Sequence, residues 1–408
     1  MKCRHCAAPL VTPLIDLGSS PPSNAYLTEA TLHAPELWFP LRVLVCDLCR
    51  LVQTEDFAAH DALFTQDYAY FSSFSHSWLE HSRAYAAQMT QALRLNADSL
   101  VVEVASNDGY LLQYFAAGGI PSLGIEPTRS TAQAARARGI ETIEEFFGVA
   151  MAKRLVAEGR SADLMTANNV LAHVPDINDF VAGFARLLKP SGTATFEFPH
   201  LLRLITERQF DTIYHEHFSY LSLLAVERIL TANGLTVVDV EQLPTHGGSL
   251  RVHARRSDSQ PGLTSAGVAA VRAAEAAAGM DGAAFYANLQ VQAQDIRDEL
   301  LTFLIEARRQ GKRVAAYGAA AKGNTLLNFA GIRPDLVSYV VDLNPAKAGK
   351  FMPGSRIPIV TEDHLLADRP DYILILPWNL KDEIVGQLAT ARAWAAQFVV
   401  AIPRLTVF

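Results

Sequence analysis

Cys3 and Cys6, in MKCRHCAAP, and Cys46 and Cys49, in LVCDLCRL, are all the cysteines of the chain. Two CxxC pairs can give four thiolates to one tetrahedral zinc, the loop between them folding as a small ribbon. A pair of disulfides in a secreted protein is the other chemistry open to them; no signal peptide precedes Cys3, and the expectation is metal. A zinc held by four thiolates keeps no open coordination position, so the ribbon is expected to be scaffold or recognition surface. The second reactive constellation is FDTIYHEHFSYLS, with Tyr214, His215, Glu216 and His217 in a row. In an extended run His215 and His217 share one face, and Tyr214 and Glu216 the other. Imidazole titrates near neutrality, so it can take a proton from a carbon next to a carbonyl, and a tyrosine hydroxyl or second histidine can stabilise the enolate. Binding of a second metal and simple packing of hydrogen-bonded polar aromatics stay open as alternatives.

Three further groups sit where strands should run into helices. Glu103-Val-Ala-Ser-Asn107-Asp108-Gly109 has one glycine where a dinucleotide fingerprint needs three, which argues against pyrophosphate. Its acids, with Glu126 at the end of the next strand, suit a ligand with hydroxyls and positive charge; an adenosyl group bearing an amino-acid tail and a sulfonium fits both. Helix capping by Asn107 or Asp108 is the plainer alternative. MTANNVLAHVP brings Asn168, Asn169 and His173 to the same sheet edge. In YGAAAKGNTLLN, Gly318 and Gly323 permit close backbone approach and Lys322 offers a point charge suited to phosphate, against the alternative of an ordinary turn of small residues. Asp342, Lys347 and Lys350, in VVDLNPAKAGKFMPG, are further candidate ligand contacts.

The elements that must position these groups follow from the hydrophobic rhythm. From Ser99, short apolar runs (LVVEVAS, PSLGIEP, ADLMTANNV, GTATFEFP) alternate with helical windows near 110–118, 128–138, 149–158 and 177–188, the signature of a parallel sheet wrapped by helices. LTVVDVEQLPTHGGSLRVHARR reads as two strands joined by a glycine turn, 265–310 as an alanine-rich helical segment, and the tail from Lys312 as a second doubly wound half. The expected architecture is α/β: a zinc ribbon over 1–66, a methyltransferase-type parallel sheet over 67–243 and a second Rossmann-like unit over 244–408. The length of 408 residues allows two or three such units, and 50% hydrophobic composition suffices for full-sized cores. A net charge of −7 argues against nucleic acid as a partner, as do the few bases near the cysteines (Lys2, Arg4, His5, Arg42 and Arg50). No apolar run approaches the roughly 20 residues of a membrane span, and reduced cysteines fit a cytoplasmic location.

Taken in order, the CxxC pairs, EVASNDGYLL, NNVLAHV, YHEHFSYLS, HGGSLR and YGAAAKGNTLLN make the whole chain resemble the zinc-containing, S-adenosylmethionine-dependent sugar C-methyltransferases, which act on nucleotide-linked 4-keto-6-deoxy sugars. The resemblance implies that His217 abstracts the C3 proton, that Tyr214, Glu216 and His173 share its pocket, and that Tyr68, or failing it Tyr70, reaches in from the tyrosine-rich passage. It implies a methyl donor held by Glu103, Asn107, Asp108, Gly109, Glu126, Asn168 and Asn169. The substrate, a dTDP- or GDP-linked sugar, would meet His246, Ser249, Arg251, Tyr317, Lys322 and Asn324. Zinc would be structural, and the chain a monomer or weak homodimer. An O- or N-methyltransferase of the same build is the alternative; there His217 would deprotonate a hydroxyl. A zinc-ribbon nucleic-acid-binding protein is the third reading, which the acidic charge opposes.

Overall fold

The computed structural model describes residues 1–57, 71–259, 262 and 264–408; Tyr68 and Tyr70 lie outside the described residues. Strands β1 (Thr12–Ser20), β2 (Phe39–Val45) and β3 (Val52–Thr54) form an antiparallel sheet with β9 (Ser219–Tyr220), in the order β1-β2-β3-β9. The second half of the YHEHFSY block is thus an edge strand of the ribbon's own sheet, a non-local pairing that no sequence period announces.

The central sheet holds β4 (Val101–Val104), β5 (Ser122–Ile125), β6 (Glu141–Ile143), β7 (Ala162–Asn168), β8 (Leu188–Pro199), β10 (Leu235–Leu243) and β11 (Ser249–Arg256), in the order β10-β11-β8-β7-β4-β5-β6. From β8 to β6 neighbouring strands are parallel, while β8-β11-β10 closes the sheet with an antiparallel hairpin. All four residues of β4 are buried, as a strand covered on both faces requires. Helix α1 (His76–Leu93) starts where the Ser75 hydroxyl accepts the Trp78 N–H, ends at Arg94 in the left-handed region, and buries Trp78, Ser82, Tyr85, Ala86 and Met89 along one stripe. Helices α2 (Leu112–Ala117), α3 (Arg129–Ala137), α4 (Val149–Ala157) and α5 (Ile177–Leu187) fall where the apolar rhythm puts them. Two further helices, α6 (Leu201–Thr206) and α7 (Leu223–Ala232), flank the YHEHFSY block.

The division expected at 243/244 falls in the turn of the β10–β11 hairpin, and both of those strands pair within the seven-stranded sheet. The helical segment expected over 265–310 is two helices, α8 (Ala266–Ala277) and α9 (Leu289–Arg309), broken at a stretch containing Gly279 and Gly282. The carboxy-terminal sheet contains β12 (Val314–Tyr317), β13 (Val340–Val341), β14 (Ile359–Val360), β15 (Tyr372–Ile375), β16 (Gln397–Val400) and β17 (Thr406–Val407), in the order β14-β13-β12-β15-β16-β17, parallel apart from β17. Its first helix, α10 (Ala321–Phe329), follows β12 directly. The stretch between the cysteine pairs reaches across to this unit: the Tyr26 hydroxyl donates to the Ala319 carbonyl at 2.6 Å, Asn324 Nδ2 to the Ser23 carbonyl at 2.5 Å, and Arg356 pairs with Glu36 at 3.1 Å. One apolar core runs through the ribbon sheet, α9 and the inner face of the carboxy-terminal sheet.

Candidate active site

The two CxxC knuckles are built alike. In each, the second residue pair turns through a left-handed residue, Ala7 or Arg50, whose N–H bonds back to the first cysteine's carbonyl at 3.0 and 2.9 Å. The four Sγ atoms lie within 4.8 Å of one another, with Cys3–Cys49 and Cys6–Cys46 at 3.5 Å. A tetrahedral zinc with bonds of about 2.3 Å needs sulfurs about 3.8 Å apart, whereas a disulfide needs about 2 Å, so the donor set fits zinc and the disulfide alternative fails. Gln53 Nε2 donates to Cys3 Sγ at 3.3 Å, an outer-shell bond that favours the thiolate, and the hydrogen bond with Cys49 pulls the Cys3 thiol well below its ordinary value.

From Gln53 it is one residue to the contact with the YHEH run. Thr54 Oγ1 donates to the His217 carbonyl at 3.0 Å, so the ribbon holds the histidine's backbone directly. The YHEH run is not extended. His217 N–H closes a turn onto the Tyr214 carbonyl at 2.9 Å, which brings Tyr214 and His217 onto the same side with ring centroids 3.9 Å apart. His215 points the other way, its Nε2 against the Phe39 and Pro40 carbonyls at 3.2 and 3.3 Å. The face-sharing expected of a strand fails because a tight turn, unlike a strand, puts residues three apart together.

His217 Nδ1–H donates to the Thr212 carbonyl at 2.9 Å, which fixes the tautomer and leaves Nε2 a lone pair with no partner among the described residues. Burial pushes its pKa well below the ordinary value, and His173, His246 and Lys322 push the same way, against the Thr212 bond. His173 packs edge-on at 4.6 Å and donates from Nδ1 to the Glu216 carbonyl at 2.8 Å, while Asn24 Nδ2 donates to the buried Glu216 carboxylate at 2.7 Å. His246, left-handed at φ 54°, meets Asn169 Nδ2 at 3.0 Å and the Trp78 ring at 5.4 Å; burial, then Lys322, pushes it down to about 4.

The loop after β4 is held open by three left-handed residues, Ala105, Asn107 and Gly109. Glu126 spends one oxygen on the Asn107 N–H and the other on the Thr128 N–H, each at 2.9 Å, so its first task is to tie two loops together. The Asn107 side chain accepts the Ser72 N–H at 2.9 Å, and Asp108 pairs with Arg138 at 3.2 Å. Glu103 is fully buried with the Tyr110 hydroxyl for a neighbour and no basic partner among the described residues, where Asp108 Oδ1 and Asn169 Oδ1 are likewise buried without hydrogen-bond partners. Burial pushes the Glu103 carboxyl well above the usual range, so a cationic group is what this edge lacks, and the residues fit an aminoacyl sulfonium nucleoside. Asn168 lies beside them, accepting the Thr166 hydroxyl at 3.3 Å.

The residues expected to meet substrate divide. The charges of His246 and Lys322 reach His217. Arg251 is buried in β11, its guanidinium on Glu197 at 2.8 Å and over the Tyr85 ring at 4.6 Å, and the Ser249 hydroxyl donates to the Thr245 carbonyl at 2.9 Å. Both brace the HGG turn. Tyr317 is buried among the outer-face residues of the carboxy-terminal sheet, and Asn324 is committed to Ser23. In the following loop Asp342 accepts the Ala319 N–H at 2.8 Å and Lys347 at 3.2 Å.

Sequence reasoning missed three positioning residues. Glu197, fully buried in β8, accepts from Arg251, from His81 at 2.9 Å and from Thr245 at 3.1 Å. Asp211 and Trp378 join the histidine cluster to the carboxy-terminal unit. A tryptophan just past the end of β15, in ILILPW, is the one signal that was there to read.

A strand-edge ligand loop beside a half-buried neutral histidine, with a four-thiolate ribbon behind it, defines a zinc-containing methyltransferase. Family models agree across nearly the whole chain: a zinc binding domain over residues 3–64, a methyltransferase domain over 78–240 and a C-methyltransferase C-terminal domain over 244–403. The C-methyltransferase NovU of Streptomyces niveus is 33% identical over 402 residues, covering 98% of this chain and 95% of that protein. The chain therefore belongs to the zinc-containing, S-adenosylmethionine-dependent C-methyltransferases. Among solved structures, PH0226 protein of Pyrococcus horikoshii OT3 shares 16% identity, covering 47% of this chain and 99% of its own at TM-score 0.39. Magnesium protoporphyrin IX methyltransferase of Synechocystis PCC 6803 with bound SAM also shares 16% identity, covering 44% and 79% at TM-score 0.34. Among the described residues no helix is long and apolar enough to cross a membrane.

Proposed function

We propose that the chain methylates C3 of a nucleotide-linked 4-keto-6-deoxy sugar through an enolate, with His217 as the base. The observation that carries this reading is the His217 imidazole, neutral and with its Nε2 lone pair unclaimed among the described residues, beside Tyr214 and His173. Its Nε2 takes the C3 proton; the electrons of the broken C–H bond move into a C3–C4 double bond, and the carbonyl oxygen takes the negative charge. S-adenosylmethionine, when bound, supplies a methyl group already activated by its sulfonium. Glu103, Asp108 and Asn169 would hold its cationic end at the β4 edge, and Asn107 and Glu126 would fix the loop around it. Turn, ribbon sheet and Thr212 carbonyl together set the ring's position before substrate arrives, which is where proximity contributes most.

The test is solvent exchange. With a 4-keto nucleotide sugar in deuterium oxide and no methyl donor, the enzyme should wash deuterium into C3, and His217→Asn should lower both exchange and methyl transfer by about 10²- to 10⁴-fold while donor affinity holds. NMR of the methylated product separates carbon from oxygen or nitrogen transfer. Absence of C3 exchange with zinc-loaded protein across a panel of 4-keto sugars would overturn the proposal.

A further inference from the structure

The indole of Trp378 is where the HGG turn, the base's support and the carboxy-terminal unit meet. Its Nε1–H donates to Asp211 Oδ2 at 2.9 Å, and Asp211 is the immediate neighbour of Thr212, whose carbonyl orients His217. Its far edge lies against Gly247, the residue after His246: a Cβ there, at φ 88°, would come 2.5 Å from Trp378 Cη2. Lys322, in the first turn of α10, lies over the same indole at 4.7 Å and donates to Asn379 Oδ1 at 2.6 Å. Three chain segments far apart in sequence are pinned to one ring, and a single ammonium is pinned with them.

Resting on the enolisation reading above, we propose that Lys322 is a catalytic residue whose ammonium faces the carbonyl oxygen beside the deprotonated carbon and stabilises the enolate charge. Asn379 is its one hydrogen-bond acceptor among the described residues, so two of its three N–H donors stay available. Its field reaches His217 and His246, both of which it depresses. Asp211 decides between this role and the phosphate contact expected of the KGN loop. It is fully buried, its Oδ1 has no hydrogen-bond partner, and it interacts electrostatically with Lys322. A carboxylate within electrostatic reach of the lysine balances its charge at rest and repels a diphosphate, whereas a ketone carries no full charge until the C3–H bond breaks. The C3 proton goes to His217 Nε2, the electron pair ends on the carbonyl oxygen, and Lys322 answers that charge without transferring a proton.

The measurement is C3 deuterium exchange over a range of sugar-nucleotide concentrations in Lys322→Met and Lys322→Arg, with donor affinity recorded alongside. In Lys322→Met the saturating exchange rate should fall about 10²- to 10³-fold, with KM within about threefold and donor affinity unchanged. Lys322→Arg, which keeps the charge, should recover part of the rate. The acid limb of the exchange profile in Lys322→Met should move up slightly, because burial and the neighbouring histidines still depress His217 but the lysine no longer adds to them. A rise in KM at an unchanged saturating rate would assign Lys322 to the diphosphate and overturn the inference. So would an unchanged rate, or a loss that includes donor binding and is not relieved by arginine. Wild-type enzyme without exchange would instead defeat the enolisation reading itself.

Discussion

After β4 in the seven-stranded sheet and after β12 in the six-stranded one, the chain makes the same move. Each first loop turns through the left-handed region, at Asn107 and Gly109 in one and at Gly318 in the other, where a Cβ would come 2.4 Å from Pro377. In each, a carboxylate just past the neighbouring parallel strand accepts a loop N–H: Glu126 from Asn107, Asp342 from Ala319. The two loops differ in charge. The first surrounds its ligand edge with Glu103, Asp108 and Glu126, with Arg138 pairing Asp108 from outside; the second brings Lys322 and Lys347 inward. On the reading proposed above, one backbone device would serve opposite ligands, a cationic donor and an anionic or enolate-forming acceptor, by exchanging the side chains around it.

The ribbon stands outside that symmetry, and the largest expected effect comes from removing it. Ribbon zinc sites owe about 10 to 16 kcal/mol of apparent binding energy to the metal, so chelation should unfold residues 1–57 as a unit. Strand β9 pairs with β3, and Thr54 holds the His217 carbonyl, so C3 exchange and methyl transfer should be lost together. Donor binding at the seven-stranded sheet should persist, measured by calorimetry on the metal-free protein. Full activity after complete zinc removal would break the contrast between a structural ribbon and two ligand-binding sheets.

Paired substitutions sharpen the comparison of the sheets themselves. Glu126→Gln leaves one of two buried backbone N–H groups without its acceptor, a cost of about 1 to 3 kcal/mol, and should weaken donor affinity about tenfold with nucleotide-sugar affinity unchanged. Asp342→Asn should do the reverse, since it leaves Lys347 with the Ala319 carbonyl but no charged partner and removes a charged acceptor from the Ala319 N–H. Titration calorimetry with each ligand reads both. If either change weakened both ligands equally, the loops would not be divided by charge.

That division was partly legible in the amino-acid sequence. Helices α2 to α5, strands β4, β5, β7 and β8, the β10–β11 hairpin, strands β12, β13, β15 and β16 and the four cysteines follow from periodicity and spacing, because local burial dictates them; the short strands β6, β14 and β17 carry no such signal. Two kinds of feature escaped. The turn at Tyr214–His217 looks like any short polar run until β3 supplies a partner for Ser219 and Tyr220, a pairing across more than 160 residues. Arg251 and Ser249 belong to a motif that looks ligand-facing, but the hairpin turns both inward onto Glu197 and Thr245. A motif preserves residue types; which face of a strand they occupy depends on the sheet it joins.

The smallest effect expected is a matter of pH. His246, pushed down to about 4, and His217, also held well below its ordinary 6.5, are neutral in the folded chain, so unfolded chains bind protons there that folded ones do not. Each costs nothing above pH 6.5 and destabilises the fold progressively as pH falls through that value toward the folded pKa. Asp211 works the other way: burial raises it from 3.8 to about 6, so its penalty, full above pH 6, is relieved between pH 6 and 4. A shift of two units corresponds to about 3 kcal/mol, so His246 and Asp211 nearly offset each other and His217 sets the remaining sign. Thermal melting should therefore shift down only a few degrees between pH 7 and pH 5, and Asp211→Asn should make the loss steeper, since the offset is removed. The C3 exchange rate should stay high below pH 6.5 over the same range, because its base remains unprotonated there. An acid limb centred at 6.5, the value of a solvated histidine, would place His217 outside the buried cluster.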